Sequence, residues 1–155
     1  MEPFFLVKIV HILSATLLFG TGLGTAFHMW FAYRRGDAKV LAVVTSNVVL
    51  ADWLFTASSG AVQVLTGLAL IYLGGHDPLA LWLQFVYGLY VLALACWLPV
   101  VAIQYKVRDL ARKATNEGSP LPVQAHRLMR IWFALGWPAF LALVGIFALM
   151  VIRPT

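Results

Sequence analysis

Residues 9–33 read IVHILSATLLFGTGLGTAFHMWFAY, 25 positions between Lys8 and Arg34 without an Asp, Glu, Lys or Arg. As a helix, a run of that length outreaches a hydrocarbon core of about 30 Å, which needs roughly 20 apolar residues. Three more runs follow: Asp52 to Asp77 encloses 24 uncharged residues, Asp77 to Lys106 encloses 28, and Arg130 to Arg153 encloses 22. Lipid offers backbone groups no water, so such runs cross it as helices that satisfy their own hydrogen bonds. The reading is all-α: an integral membrane four-helix bundle with antiparallel, up-down spans. The spans are placed at residues 4–33, 50–73, 79–105 and 131–152 of a single transmembrane domain, residues 1–155.

Composition agrees, with 62% hydrophobic and 11% charged residues, against roughly 25% charged in soluble domains. No linker-like stretch or repeat of fixed period divides the chain. The net charge of +5 reports orientation rather than nucleic-acid binding in a chain of this type, so no nucleic-acid partner is expected. The partner expected first is the lipid bilayer. The opening Met1-Glu2-Pro3 followed by a long apolar run predicts a retained first span rather than a cleaved leader. Cys96 is the lone cysteine, so no intrachain disulfide can form; it reads as a small packing residue.

Basic residues resist translocation and stay cytoplasmic. Arg34, Arg35 and Lys39 follow the first span, while Lys106, Arg108, Arg112, Lys113, Arg127 and Arg130 lie between the third and fourth. The loop Gly74-Gly75-His76-Asp77-Pro78 contains neither Lys nor Arg. Both termini are therefore expected outside the cytoplasm, with Lys8 and Arg153 snorkelling to headgroups. Val40 to Leu73 stays mostly apolar for a helical length of about 51 Å, more than one crossing. Residues 40–51 either extend the second span into the cytoplasm or lie along the interface with Thr45, Ser46 and Asn47 facing water. The third span is expected to continue as a cytoplasmic helix through Lys106, Arg108, Asp109, Arg112 and Lys113, to break at Asn116-Glu117-Gly118-Ser119-Pro120, and to be followed by a basic turn with His126, Arg127 and Arg130 that enters the fourth. Pro99 and Pro138 fall within the third and fourth spans, where each frees a carbonyl.

Ionisable groups inside a span are costly and so become functional candidates. His11 is the first of these. Ser14, Ala15, Leu18, Gly22 and Thr25 share its helix face, a small and polar stripe that turns to protein rather than lipid. A neutral imidazole there suits a haem iron or another metal, or proton transfer; the alternative is an interhelical hydrogen bond. His28 sits about 25 Å further along the axis and belongs to a second place. Threading puts it near Asp52, Gln104 and Arg130, so an Asp52–Arg130 ion pair joined by His28 is expected as a structural polar cluster, with a proton or anion entry site as the alternative. Gly20 and Gly24 have the small-xxx-small spacing that lets helices approach closely. Gln63 and Gln84 add polar contacts, and His76 lies in the outer loop. Five tryptophans, Trp30, Trp53, Trp97, Trp132 and Trp137, crowd the cytoplasmic half as an interfacial belt. No zinc-protease, paired-cysteine or phosphate-loop motif is present, and catalytic residues are not identifiable.

Lys8-x-x-His11-Ile12-Leu13, Asp52-Trp53, Trp97-Leu98-Pro99-Val100 followed by Gln104, and Trp132 through Gly136-Trp137-Pro138-Ala139-Phe140 together resemble a bacterial family of predicted integral membrane proteins of unknown function. That resemblance covers nearly the whole chain and implies a multi-pass protein of the bacterial inner (cell) membrane. The first helix, through Lys8-x-x-His11, is similar to that of the copper-resistance D and HemJ-type protoporphyrinogen oxidase proteins. There the histidine implies haem or copper handling, so His11 becomes the expected cofactor-binding and metal residue, with haem b as the cofactor. No second intramembrane histidine lies at its depth, which leaves a five-coordinate haem or a ligand from a second protomer. The functional expectation is redox or porphyrin chemistry at His11. Its rival is a non-enzymatic membrane partner or transport subunit, including a homo-oligomer, whose basic face meets anionic lipid or another protein.

Overall fold

A computed structural model describes residues 2–153. Met1, Pro154 and Thr155, the extreme residues of the expected domain and of its outward termini, lie outside them. Five α-helices run in chain order: α1 Pro3–Arg34, α2 Ala38–Ala51, α3 Ser58–Leu73, α4 Leu81–Glu117 and α5 Val123–Ile152. A π-helical stretch, Asp52–Ala57, joins α2 to α3. The result is four helical rods, each long and apolar enough to cross a membrane: Pro3–Arg34, Ala38–Leu73, Leu81–Glu117 and Val123–Ile152.

Local chemistry sets the ends. Pro3 stands in the first turn of α1, where its missing N–H costs nothing. The Asp37 carboxylate accepts from the backbone N–H of Lys39 at 2.8 Å and of Val40 at 3.2 Å, capping α2. Gly118 takes φ +61° after α4, the left-handed stop that glycine adopts without a Cβ clash. One boundary differs from expectation: the fourth rod starts at Val123 rather than Ile131, because the basic segment with His126, Arg127 and Arg130 continues as helix instead of forming a turn. The third continues through its basic segment to Glu117, within the expected break, and Gly118 stops it.

Residues 40–51 extend the second rod and do not lie along an interface. Leu41, Ala42, Val44, Thr45, Val48 and Val49 are all buried, packed against α1 and α4. Of the three polar residues expected in water only Asn47 is exposed. Thr45 is wholly buried, its hydroxyl donating to the Leu41 carbonyl at 2.6 Å. Ser46 donates to the Ala42 carbonyl and accepts from Arg112 Nη2 at 3.0 Å. Bonding to their own helix lets small hydroxyls enter an apolar core.

The core gathers at the end carrying the basic turns, where Met29, Leu41, Val107, Ala125, Met129 and Trp132 interlock. Towards the other end α3 packs mainly on α1, and α4 on α5. Tyr90 Oη, donating to the Gly60 carbonyl at 2.8 Å, links the two pairs. Leu13, Leu65 and Leu141 are exposed there. Lipid tails solvate such faces as well as another helix would, so no hydrophobic force closes them.

Close packing at Gly20 and Gly24 is not found within the chain: a Cβ at either meets nothing within 4 Å. Aromatic side chains hold the facing helices apart instead. Phe19 meets Phe140 at 5.4 Å and Phe147 at 5.5 Å, and Trp30 stacks on Phe133 at 4.3 Å. Close approach occurs at other glycines, Gly67 under the His11 ring and Gly145 under Leu89.

Candidate functional site: the His11 seam

A polar seam joins α1 to α3 around His11. Its Nδ1 lies 2.7 Å from Thr66 Oγ1. The Thr66 hydroxyl also lies 2.6 Å from the Val62 carbonyl, to which it donates. A hydroxyl has one proton. With that proton on Val62, Thr66 can only accept from the ring, so Nδ1 carries the hydrogen and neutral His11 keeps its lone pair on Nε2. No hydrogen bond to Nε2 accompanies it among the described residues. One turn along, Gln63 Nε2 donates to the His11 carbonyl at 2.6 Å and to the Ser14 hydroxyl. Ser14 is buried and its hydroxyl donates to the His11 carbonyl at 3.0 Å.

The seam follows from spacing on two helices. His11 and Ser14 are three apart on α1, Gln63 and Thr66 three apart on α3, so each pair occupies one face. Gly67 lets the ring lie against α3: a Cβ there would be 3.6 Å from His11 Cε1. Of the other residues on the His11 face, Thr25 bonds only within its own helix, to the Thr21 carbonyl at 2.8 Å.

His28, Asp52 and Arg130 are not joined. His28 and Arg130 are exposed, and the ion pairs among the described residues are Arg108–Asp109 and Lys113–Glu117. Asp52 is 3% exposed, accepts from Thr56 Oγ1 at 2.9 Å and has the Gln104 amide as its other polar neighbour. The π stretch begins at Asp52, and the helix turns the carboxyl inward while Trp53, next in the chain, donates from Nε1 to Tyr105 Oη at 3.0 Å. Gln84 bonds locally to the Leu79 carbonyl, and His76 packs edge-on to Trp82 at 6.2 Å. At the basic end Tyr33 Oη meets His126 Nδ1 at 2.9 Å, a contact the sequence did not announce. Among the described residues no three of His, Cys, Asp and Glu come together as a metal cage.

Residues 5–154 match a protein family described as predicted integral membrane protein (DUF2269), and the chain belongs to it. No curated protein matches the chain, and no solved structure does.

Proposed function

We propose that this DUF2269 member is an inner-membrane protein threaded up and down, termini outside, that binds a haem-type metal cofactor through His11. One observation carries the reading: His11 Nδ1 is engaged by Thr66, and in the tautomer where the Thr66 hydroxyl donates to Val62, Nδ1 is the donor and Nε2 has the free lone pair. Metal-ligating histidines use their second nitrogen in this way, fixing the tautomer and raising the basicity of the ligating one. His11 would be the one histidine of this chain at its level to hold such a group. Bound there, a haem b would supply electron transfer or porphyrin redox chemistry, while Thr66 would orient the His11 ring.

The rival, a non-enzymatic membrane partner or transport subunit, draws on Gln63. Its bonds to the His11 carbonyl and Ser14 join α1 to α3 without using the ring. An absorption spectrum of the detergent-purified protein separates the two. A Soret band that disappears in His11→Ala, with helical content retained, is the expected result. A colourless, metal-free wild-type preparation from haem-replete cells excludes the cofactor and leaves the helix clamp.

A further inference from the structure

Among the described residues Asp52 is the only buried carboxyl group. The other five acidic side chains are Glu2, Asp37, Asp77, Asp109 and Glu117, and each of these is exposed. Among the described residues no cation pairs with Asp52. On its own rod no other charged residue lies between Lys39 and Asp77, and on α5 none between Arg130 and Arg153. On α1 the uncharged run from Lys8 to Arg34 holds as titratable groups only His11, tied to Thr66, the exposed His28, and Tyr33, tied to His126. From α4 the neighbouring groups are Tyr105, engaged with Trp53, the exposed Lys106, and Arg108, paired with Asp109. The polar groups left for the carboxyl are Thr56 and Gln104.

Gln104 adds an independent observation. It is 2% exposed, and its Oε1 is buried without a hydrogen-bond partner. Both amide atoms belong to one small planar group, so an amide beside the Asp52 carboxyl brings its unused atom to the same pocket. Trp132 Nε1, on a residue in the same core as Ile103, is a second buried polar atom without a partner. With Asp52 as a carboxylate, the Gln104 amide gives it its N–H and is left with Oε1 unsatisfied. A carboxylic acid changes the count. Its O–H supplies the donor that Gln104 Oε1 lacks, and a neutral group avoids the desolvation cost of an unpaired buried charge.

We infer that Asp52 is a proton-binding site in the centre of the bundle, held as a neutral carboxylic acid whose O–H donates to the Gln104 amide while Thr56 donates to its carbonyl oxygen. The proton comes from water, and its release returns a carboxylate held by Thr56 and the amide N–H of Gln104. Turning the Gln104 amide over is the only rearrangement the exchange requires. π stretches recur at functional positions in helices, and this one opens on Asp52. The inference uses no part of the His11 seam and stands whether or not a cofactor binds there.

Infrared spectroscopy of the full chain in an ester-free detergent at neutral pH tests it, the carboxylic-acid C=O stretch of the wild type being assigned to Asp52 by difference from Asp52→Asn. That band is expected to be present, to be lost in Asp52→Asn, and to shift to higher frequency in Gln104→Leu, where the hydrogen bond to the acid is removed. Should Asp52→Asn fail to fold, the wild-type band and its shift in Gln104→Leu decide. Absence of the band at neutral pH in folded wild type overturns the inference, as does a band that survives in folded Asp52→Asn or stays unmoved in Gln104→Leu.

Discussion

At the scale of single residues the seam is a matter of proton accounting. Thr66→Val removes the acceptor of His11 Nδ1–H and keeps the shape, so it should destabilise the α1–α3 contact by about 1 kcal/mol. Reversible unfolding in mixed micelles measures it, and a change within error would mean that the ring bonds elsewhere. His11 was legible in the sequence because a polar side chain inside an apolar run needs a partner. The identity of that partner was not, since it depends on the rotation of α3 about its axis, which Gln63 and Thr66 mark only once the neighbouring helix is known. The expected Asp52–Arg130 pair failed for a related reason. Opposite charges at similar depth suggested attraction, but Asp52 turns into the bundle while Arg130 sits on the outer face of α5. A long guanidinium side chain reaches water at less cost than it enters a core.

At the scale of elements, uncharged runs located the rods, the basic segment after Tyr105 marked where the third one ends, and only the start of the fourth was placed too late. Charges mark where lipid stops, and helices continue past that point when their next turns are amphipathic, as α4 does to Glu117 and α5 does from Val123. The π stretch at Asp52–Ala57 carries no charge or spacing pattern that marked it in the sequence. Glycines show the same limit. Spacing alone marked Gly20 and Gly24 as contact points, whereas the aromatic layer between α1 and α5 leaves them open. Gly24→Ala should therefore stabilise α1 by roughly 0.5–1 kcal/mol through helix propensity. Gly145→Val should cost about 1–3 kcal/mol, because even a Cβ would stand 3.1 Å from Leu89 Cδ1. Thermal unfolding of the two variants in one detergent gives shifts of opposite sign; shifts of the same sign would refute the packing described for α1 and α4–α5.

At the scale of the whole molecule, the fold class was readable from hydropathy alone, because backbone hydrogen bonding in lipid leaves few alternatives to helices. The core at the basic end was not: it rests on residues 38–51 folding against α1 and α4, and that stretch reads equally well as an interfacial helix. With a packed core at one end and loosely joined helix pairs at the other, both candidate polar groups lie on the second rod or against it, His11 beside α3 and Asp52 at the π stretch. Their roles depend on how the rods are threaded. Single cysteines in a Cys96→Ser background, labelled in intact cells with a membrane-impermeant thiol reagent, measure that threading directly. Cysteine at His76 should label from outside, while cysteine at Lys39 or Asn116 should label only after the membrane is opened. External labelling at Lys39 or Asn116, or a protected His76 position, would contradict the account.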